Sequence, residues 1–389
     1  MNSLRLALKY IAFNRFQSLV LIACLALTLT LPVALAILIG QFNQQIVARA
    51  ESTPFVMGAQ ASELDLTLHA LYFDSQAPRD FRYEEYEKVD PEMALAVPLF
   101  TGHSAGGAPV VGTSLDYFRF RNLKIADGQM LGLIGDCVVG SALAKRLGLQ
   151  PGDQQLTDSE NITDIAGKYP VRLNVTGILA PNGTADDEVF FVDLKTAWVI
   201  EGRGHGHQDV GEIDEDKLLG DEGANTVTSA AVLPYIEFDE QTRSTIHFHG
   251  DPADLPLTAA IIAPVDERAA TILLGRVNRL DSPVQLVEPM AEVEKLMGLV
   301  FQVQRLFNAN AALLSVSTFL LLGLVLLLSL RLRQHEMDTM FRIGCSRGML
   351  FSLQFFQVLI VLGAALCILA LLTGILFYLA PDLIRTIPL

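Results

Sequence analysis

The chain has 389 residues, 51% of them hydrophobic and only 18% charged, with a mean hydropathy of +0.38; this argues against an ordinary soluble enzyme of that size. Its formal charge of −15 lacks the basic footprint that displaces counterions from nucleic acid, so a DNA or RNA partner is excluded. The four cysteines, Cys24, Cys137, Cys345 and Cys367, show neither CxxC pairing nor zinc-ribbon spacing, which removes a disulfide scaffold and a cysteine metal site.

Residues 1–15 carry Arg5, Lys9 and Arg15 and no acid, and Leu4, Leu8 and Ile11 fall at helical spacing. That pattern suits an amphipathic helix on the inner leaflet, or equally an inward extension of the helix that follows. No charge occurs between Arg15 and Arg49, and the stretch 19–40 is long enough to cross ~30 Å of hydrocarbon at ~1.5 Å per residue. Residues 16–41 are expected to form a first transmembrane helix. The alternative is a cleaved signal peptide ending near Ala34-Leu35-Ala36, but the apolar run continues well beyond that site.

Residues 42–305 hold 20 basic against 40 acidic groups, so nearly all the acidity lies outside the apolar runs. Solubility explains this charge, with attraction of cationic cargo as the sharper reading. Strand-like, β-branched runs recur at 94–100, 108–112, 136–139, 171–177, 189–192, 226–233 and 259–263. Between them, 141–147 reads as a helix closed by Gly148, 150–153 as a turn, and 267–280 as an amphipathic helix weakened by Gly275. The segment is predicted to be a mixed α/β domain of two lobes. Residues 202–223, rich in glycine and acid, are expected to be flexible.

Two more uncharged runs follow, at 306–330 and 348–381. The second of these is too short for two crossings of about 20 residues each with a turn, so it is expected to be one long or tilted helix. Arg331, Arg333, Arg342 and Arg347 fill the link 331–347. Lys and Arg in short flanks mark the cytoplasmic side, which places the N-terminus and this link inside, with 42–305 and the tail 382–389 outside. The expected fold is a membrane protein with three α-helical spans and a large mixed α/β domain inserted between spans one and two.

Several segments carry a family resemblance. Residues 4–20, LRLALKYIAFNRFQSLV, resemble the inner-leaflet helix and first span of the MacB/FtsX-like permeases, the membrane subunits of mechanotransmitting ABC transporters. Residues 112–131 resemble the segment in which a glycine, an acid-aromatic pair (Asp116, Tyr117) and a basic stretch precede a second glycine, Gly128. Residues 138–153 are similar to that family's strand, helix and Gly-Asp turn, and residues 174–194 to the strand pair after it. The link RLRQHEMDTMFRIGCSRGML, 331–350, is the most specific, with Glu336 ahead of Arg342, Gly344, Ser346 and Arg347.

The resemblance implies a periplasmic outer domain in a bacterial inner membrane, a second permease copy as homodimer or related heterodimer, and a separate cytoplasmic ABC ATPase. That ATPase would dock on the link, with Glu336, Arg342, Gly344, Ser346 and Arg347 as the coupling residues. Such permeases usually carry a fourth span; here the chain stops at Leu389, so a three-span variant and a shortened sequence are both open. The implied function is ATP-driven export or extraction of a substrate. The rival is a non-transporting signalling protein that regulates a periplasmic partner such as a cell-wall hydrolase, and a receptor ectodomain is a third reading.

The chemistry of the chain itself is sparse. There is no G-x-x-x-x-G-K-[ST] loop to cradle phosphates, so ATP enters only through the partner and the chain carries no cofactor for it. Neither a nucleophile elbow nor HExxH occurs, and no catalytic residue is assigned. His205 and His207 flank a glycine, and His247 and His249 flank Phe248. On a strand, i and i+2 share a face, so either pair could present two imidazoles to zinc, with a carboxylate completing the shell; a solvated acidic loop beside an exposed strand is the plainer reading.

Overall fold

A computed structural model of the chain describes residues 2–73, 79–158, 170–205, 218–222, 225–228, 235–238, 243, 245–248, 250–279, 281–332, 339, 342, 344 and 347–385. These residues form two compact units, one from Met1–Ile46 with Lys295–Pro388 and one from Val47–Glu294.

The first unit is helical. A break at Asn14 separates the helix Asn2–Phe13 from the long helix Arg15–Glu51, which holds Pro32 in its interior. Two helices among the described residues, spanning Ser18–Glu51 and Phe351–Leu379, are long and apolar enough to cross a membrane by length and composition. The run 306–330 lies inside one continuous helix, Pro289–Leu332, and 348–381 lies inside another, Arg347–Arg385. Leu27, Leu31, Leu320, Leu371 and Phe377 on these helices are each more than 60% exposed. In water such surfaces would drive aggregation, whereas hydrocarbon chains cover them without cost. Where the helices meet, the small residues Ala26 and Ala365 are buried among Leu25, Ile22, Leu29 and Leu362, and Thr28 Oγ1 lies 3.5 Å from Thr318 Oγ1.

The second unit is built on a ten-stranded mixed sheet. Its strands are β1 (Phe55–Ala59), β2 (Ala94–Ala105), β3 (Ala108–Thr113), β4 (Ile125–Gly128), β5 (Asp136–Val139), β6 (Gln154–Leu156), β7 (Arg172–Leu179), β8 (Phe190–Asp193), β9 (Ala259–Pro264) and β10 (Val284–Val287). They run in the order β10-β1-β9-β2-β3-β8-β5-β7-β4, with β6 beside β7. The pairs β3–β8 and β5–β7 are parallel and the others antiparallel.

Side-chain alternation divides the core into two clusters, one on each face of this sheet. Phe55 and Met57 of β1, Val139 of β5 and Phe190 of β8 point to one face, where the helices Ser141–Leu147, Leu194–Ile200 and Glu267–Val277 add Leu143, Ala197 and Leu273. Val56, Val138 and Phe191 point to the other, covered by the helices Glu63–Tyr72 and Leu115–Phe120 through Leu66, Ala70, Tyr117 and Phe118. Three of these five helices start where short polar side chains cap them. Ser62 accepts from the Asp65 amide, Asp193 from Lys195 and Asp266 from Ala269.

The helix Ser141–Leu147 ends at Gly148, as expected, with φ +71°. Gly128 at the end of β4 has φ +81°, and a Cβ there would sit 2.2 Å from the Thr176 carbonyl oxygen, so both conformation and space demand glycine. The expected strand 94–100 extends to Ala105, because a bulge between Thr101 and His103 absorbs the polar residues that interrupt its apolar pattern. The expected strand 226–233 is represented by Asn225–Thr228, and its remaining residues lie outside those described. The helix expected over 267–280 closes at Val277.

Candidate functional site

The last turn of the long helix Arg15–Glu51 belongs to the sheet unit and carries its one long cation, Arg49, into the interior. A guanidinium removed from water needs partners for its fork of donors, and Arg49 has them. Nη1 and Nη2 donate to the two carboxylate oxygens of Asp186, each at 2.9 Å, a bidentate pair. Nη2 also reaches the Tyr117 hydroxyl at 3.1 Å, and Nε donates to the Leu71 carbonyl at the end of the helix Glu63–Tyr72. Tyr117 in turn donates to Asp186 Oδ1 at 2.6 Å, and Thr184 Oγ1 donates to Oδ2 at 2.9 Å.

Asp186 is delivered by a 3₁₀ turn, Ala185–Glu188, between β7 and β8. That turn is fixed by its neighbour Asp187, which accepts from Ser141 Oγ at 3.0 Å and from the Gly183 amide at 2.7 Å. Tyr117 stands on the helix Leu115–Phe120 and packs against Phe191, ring centroids 5.3 Å apart, while Phe191 meets Phe73 edge-on at 6.1 Å. Phe73 adopts φ +58°, an uncommon conformation for an aromatic residue, and its ring lies 5.6 Å from the Arg49 guanidinium carbon.

A second arginine seals the end of the helix. Arg121 donates to Ser52 Oγ at 2.9 Å and Thr53 Oγ1 at 2.8 Å, and both hydroxyls donate to the Arg49 carbonyl. The helix C-terminus, the negative end of its dipole, is therefore capped by cation-bound hydroxyls.

The electrostatics follow from burial. Loss of water alone would raise the Asp186 carboxyl, but the Arg49 charge and the hydrogen bonds from Arg49, Tyr117 and Thr184 outweigh it and hold the pKa down at about 2, below the usual 3.8. Burial, then the Asp186 charge, pushes the Tyr117 phenol well above its usual range, so it remains a hydrogen-bond donor. With one partner permanently ionised and the other held so, the cluster is an anchor rather than an acid-base pair. Displacing residue 49 from it would strand a carboxylate in the core.

The residues singled out in the sequence fall in three groups. Tyr117 and Gly128, from the segment resembling the permease family, are the buried donor and the backbone-limited turn described above. Of the link expected to meet the ATPase, Arg342 and Gly344 are exposed, Gly344 with φ +104°, and Arg347 opens the helix Arg347–Arg385; Glu336 and Ser346 lie outside the described residues. Of the histidines, His205 and His247 are register partners in a two-stranded antiparallel ribbon, and His207 and His249 lie outside the described residues. Among the described residues, no three His, Cys, Asp or Glu side chains are grouped to hold a metal ion.

Arg49 and Asp186 were not singled out. Arg49 marks the end of an uncharged run and Asp186 is one of four acids or amides in NGTADDE, so neither is distinguished by pattern. The available signal was a lone arginine immediately after a membrane-length run, where topology is the first explanation that comes to hand.

A profile of the MacB-like periplasmic core domain matches residues 18–214. Among solved structures, the periplasmic region of MacB from Actinobacillus actinomycetemcomitans is similar at 9% identity and a TM-score of 0.38, covering 65% of this chain and 97% of that one. The extracellular domain of the noncanonic ABC-type transporter YknZ from Gram-positive bacteria is similar at 11% identity and a TM-score of 0.32, covering 60% of this chain and 98% of that one. No curated protein sequence matches. The profile takes in more than half of the chain, including most of the helix whose last turn carries Arg49, the helix that carries Tyr117 and the turn that carries Asp186, and the chain belongs to the MacB/FtsX-like ABC permease family with a MacB-like periplasmic core domain.

Proposed function

We propose that the chain is the lever of an ABC complex: a permease subunit that relays the motion of a separate cytoplasmic ATPase through its long helices to the periplasmic domain, driving export or extraction of a substrate. The observation that carries this reading is the Arg49 anchor, since a helix whose last turn is locked by a bidentate buried ion pair into the sheet unit cannot move its end without moving that unit's turn and helix. The anchor does what a transmitting joint requires and nothing that catalysis requires. Family membership supports the same reading, because the family works with a cytoplasmic ABC ATPase.

In this proposal three helices span a bacterial inner membrane, the N-terminus and the link around Arg342 are cytoplasmic, and residues 42–305 are periplasmic. The basic flanks Arg5, Lys9 and Arg15, and the arginines 331, 333, 342 and 347, support that orientation. Two permease copies stand over two ATPase copies. Arg342 and Gly344 of the link are exposed and Arg347 opens a long helix, so closure of the ATPases beneath it would be passed on as helix tilt. Affinity purification of the tagged chain in mild detergent tests this reading. An ABC ATPase and ATP hydrolysis are expected in the eluate; a preparation that repeatedly contains neither overturns it.

A further inference from the structure

The helix Asn2–Phe13 packs along the helix Arg347–Arg385 of the same unit, and its Ala7 is completely buried. At ~100° of rotation per residue, the midpoint of Arg5 and Lys9 lies about 180° around the helix from Ala7, so both cations stand on the side turned away from the protein, and both are exposed. Exposed apolar residues flank them on either side, Leu4 and Leu8 on one and Leu6 and Phe13 on the other. Beyond the break at Asn14 the same mixture continues with Arg15 and Phe16; Phe13 and Phe16 are 86% and 81% exposed.

This surface is left unbalanced in both charge and polarity. Arg5 and Lys9, four residues apart on one helix face, repel each other, and the chain has no acid before Glu51 to offset them. Neither they nor Arg15 form an ion pair among the described residues. Leu4, Leu8, Phe13 and Phe16 stand in the open beside these charges, where water gains nothing from them. A partner that answers both needs must bring negative charge and apolar surface side by side. The uncharged, membrane-length run begins directly after Arg15, so the helix meets the bilayer at the level of the headgroups. An acidic phospholipid supplies both parts there: its phosphate meets the guanidinium and the ammonium, and its acyl chains meet the flanking leucines and phenylalanines and the stems of the cations themselves.

We propose that the helix Asn2–Phe13 recognises acidic phospholipid, with Arg5 and Lys9 as the pair that holds the headgroup phosphate and Arg15 as a third cation at the same interface. The inference rests on the membrane part of the function proposed above and not on the ATPase; its test uses the permease alone, so it fails or succeeds separately from the co-purification.

Native mass spectrometry of the purified full-length chain in mild detergent reads the binding of phosphatidylglycerol and of phosphatidylcholine with identical acyl chains. Wild type is expected to hold phosphatidylglycerol at least about tenfold more tightly. Each cation beside an acidic lipid contributes about fivefold, so Arg5→Gln combined with Lys9→Gln should bring the two lipids to within about twofold of each other, with phosphatidylcholine binding unchanged. The exchange Arg5→Lys with Lys9→Arg, which keeps both charges, should keep the preference, as should Arg305→Gln, an exposed arginine on the helix Pro289–Leu332. All these positions are exposed, and thermal melting followed by circular dichroism should match wild type throughout. Inorganic phosphate in about hundredfold excess should not displace the lipid. A preference that survives in the double glutamine variant, an equal loss in Arg305→Gln, displacement by inorganic phosphate, or a dimer of the chain that shuts phosphatidylglycerol out of this face would overturn the proposal.

Discussion

Replacing Asp186 with alanine is expected to destabilise the periplasmic domain by about 3–5 kcal/mol, because it leaves the Arg49 guanidinium buried without its counter-charge. Arg49→Met should cost a similar amount for the converse reason. The double variant Arg49→Met with Asp186→Leu removes both charges and replaces them with apolar side chains, so it should recover much of the loss, and chemical unfolding of the four proteins closes the cycle. Equal and additive losses in the two single variants would show that the pair does not interact.

Acid gives an independent readout of the same pair. The Asp186 carboxyl is depressed in the folded protein, to about 2 from an ordinary 3.8, so it contributes stability above pH ~4 and that contribution is lost as pH falls toward 2. Its size is roughly 2 kcal/mol, smaller than the mutational effect, because protonation leaves a hydrogen-bonding carboxylic acid where mutation leaves a gap. In the double variant the acid slope between pH 4 and 2 should be correspondingly shallower. Most informative is the folded double variant in transport: the joint is weakened while the ATPase contacts are untouched, so substrate movement should fall while ATP hydrolysis persists.

The second large effect is expected at the other end of the lever. Arg342 is exposed on the link, and Arg347 opens the helix Arg347–Arg385. Reversing charge at a contact between proteins sets like charges against each other and costs several kcal/mol, on the order of a hundredfold or more in affinity. Arg342→Glu combined with Arg347→Glu should therefore strip the ATPase from the purified permease, while the melting of the periplasmic domain stays at the wild-type value. Glu336→Lys should act in the same direction. If the reversed link still retains the ATPase in wild-type proportion, those residues set topology only and docking lies elsewhere.

How much of this was legible in the sequence depends on the range over which each feature is determined. The helix Ser141–Leu147 is local: good helix formers, then a glycine that can take positive φ, and it appears where expected. Strand β5 is local too, a short apolar run between a turn and a glycine. By contrast β1 and β10 lie at opposite ends of the outer segment, pair with each other, and were not predicted; their short runs gain strand character only from the neighbours the sheet supplies. The apolar runs, which lie inside long helices, could be found because membrane thickness acts on contiguous residues.

The anchor could not be found, since Arg49, Tyr117 and Asp186 are separated by 68 and 69 residues and only the fold makes their charges meet. The register of His205 with His247 has the same character. Both H-x-H pairs were visible, but not that residues 205 and 247 would stand in register.

In the proposed lever, force made below the bilayer is delivered to a domain above it, and the sides of the membrane on which the two ends of the chain stand decide whether it can be. In intact cells carrying Cys24→Ala and Cys367→Ala, a membrane-impermeant maleimide is applied to a chain with Lys145→Cys, an exposed position on the helix Ser141–Leu147. Cys137 stays silent, because burial, with the Asp136 charge beside it, keeps its thiol protonated and out of reach. Labelling at 145 in intact cells once the outer membrane is made permeable, with Cys345 in the link reacting only after the inner membrane is opened, is the predicted result. Labelling of Cys345 from outside with position 145 protected would contradict the account.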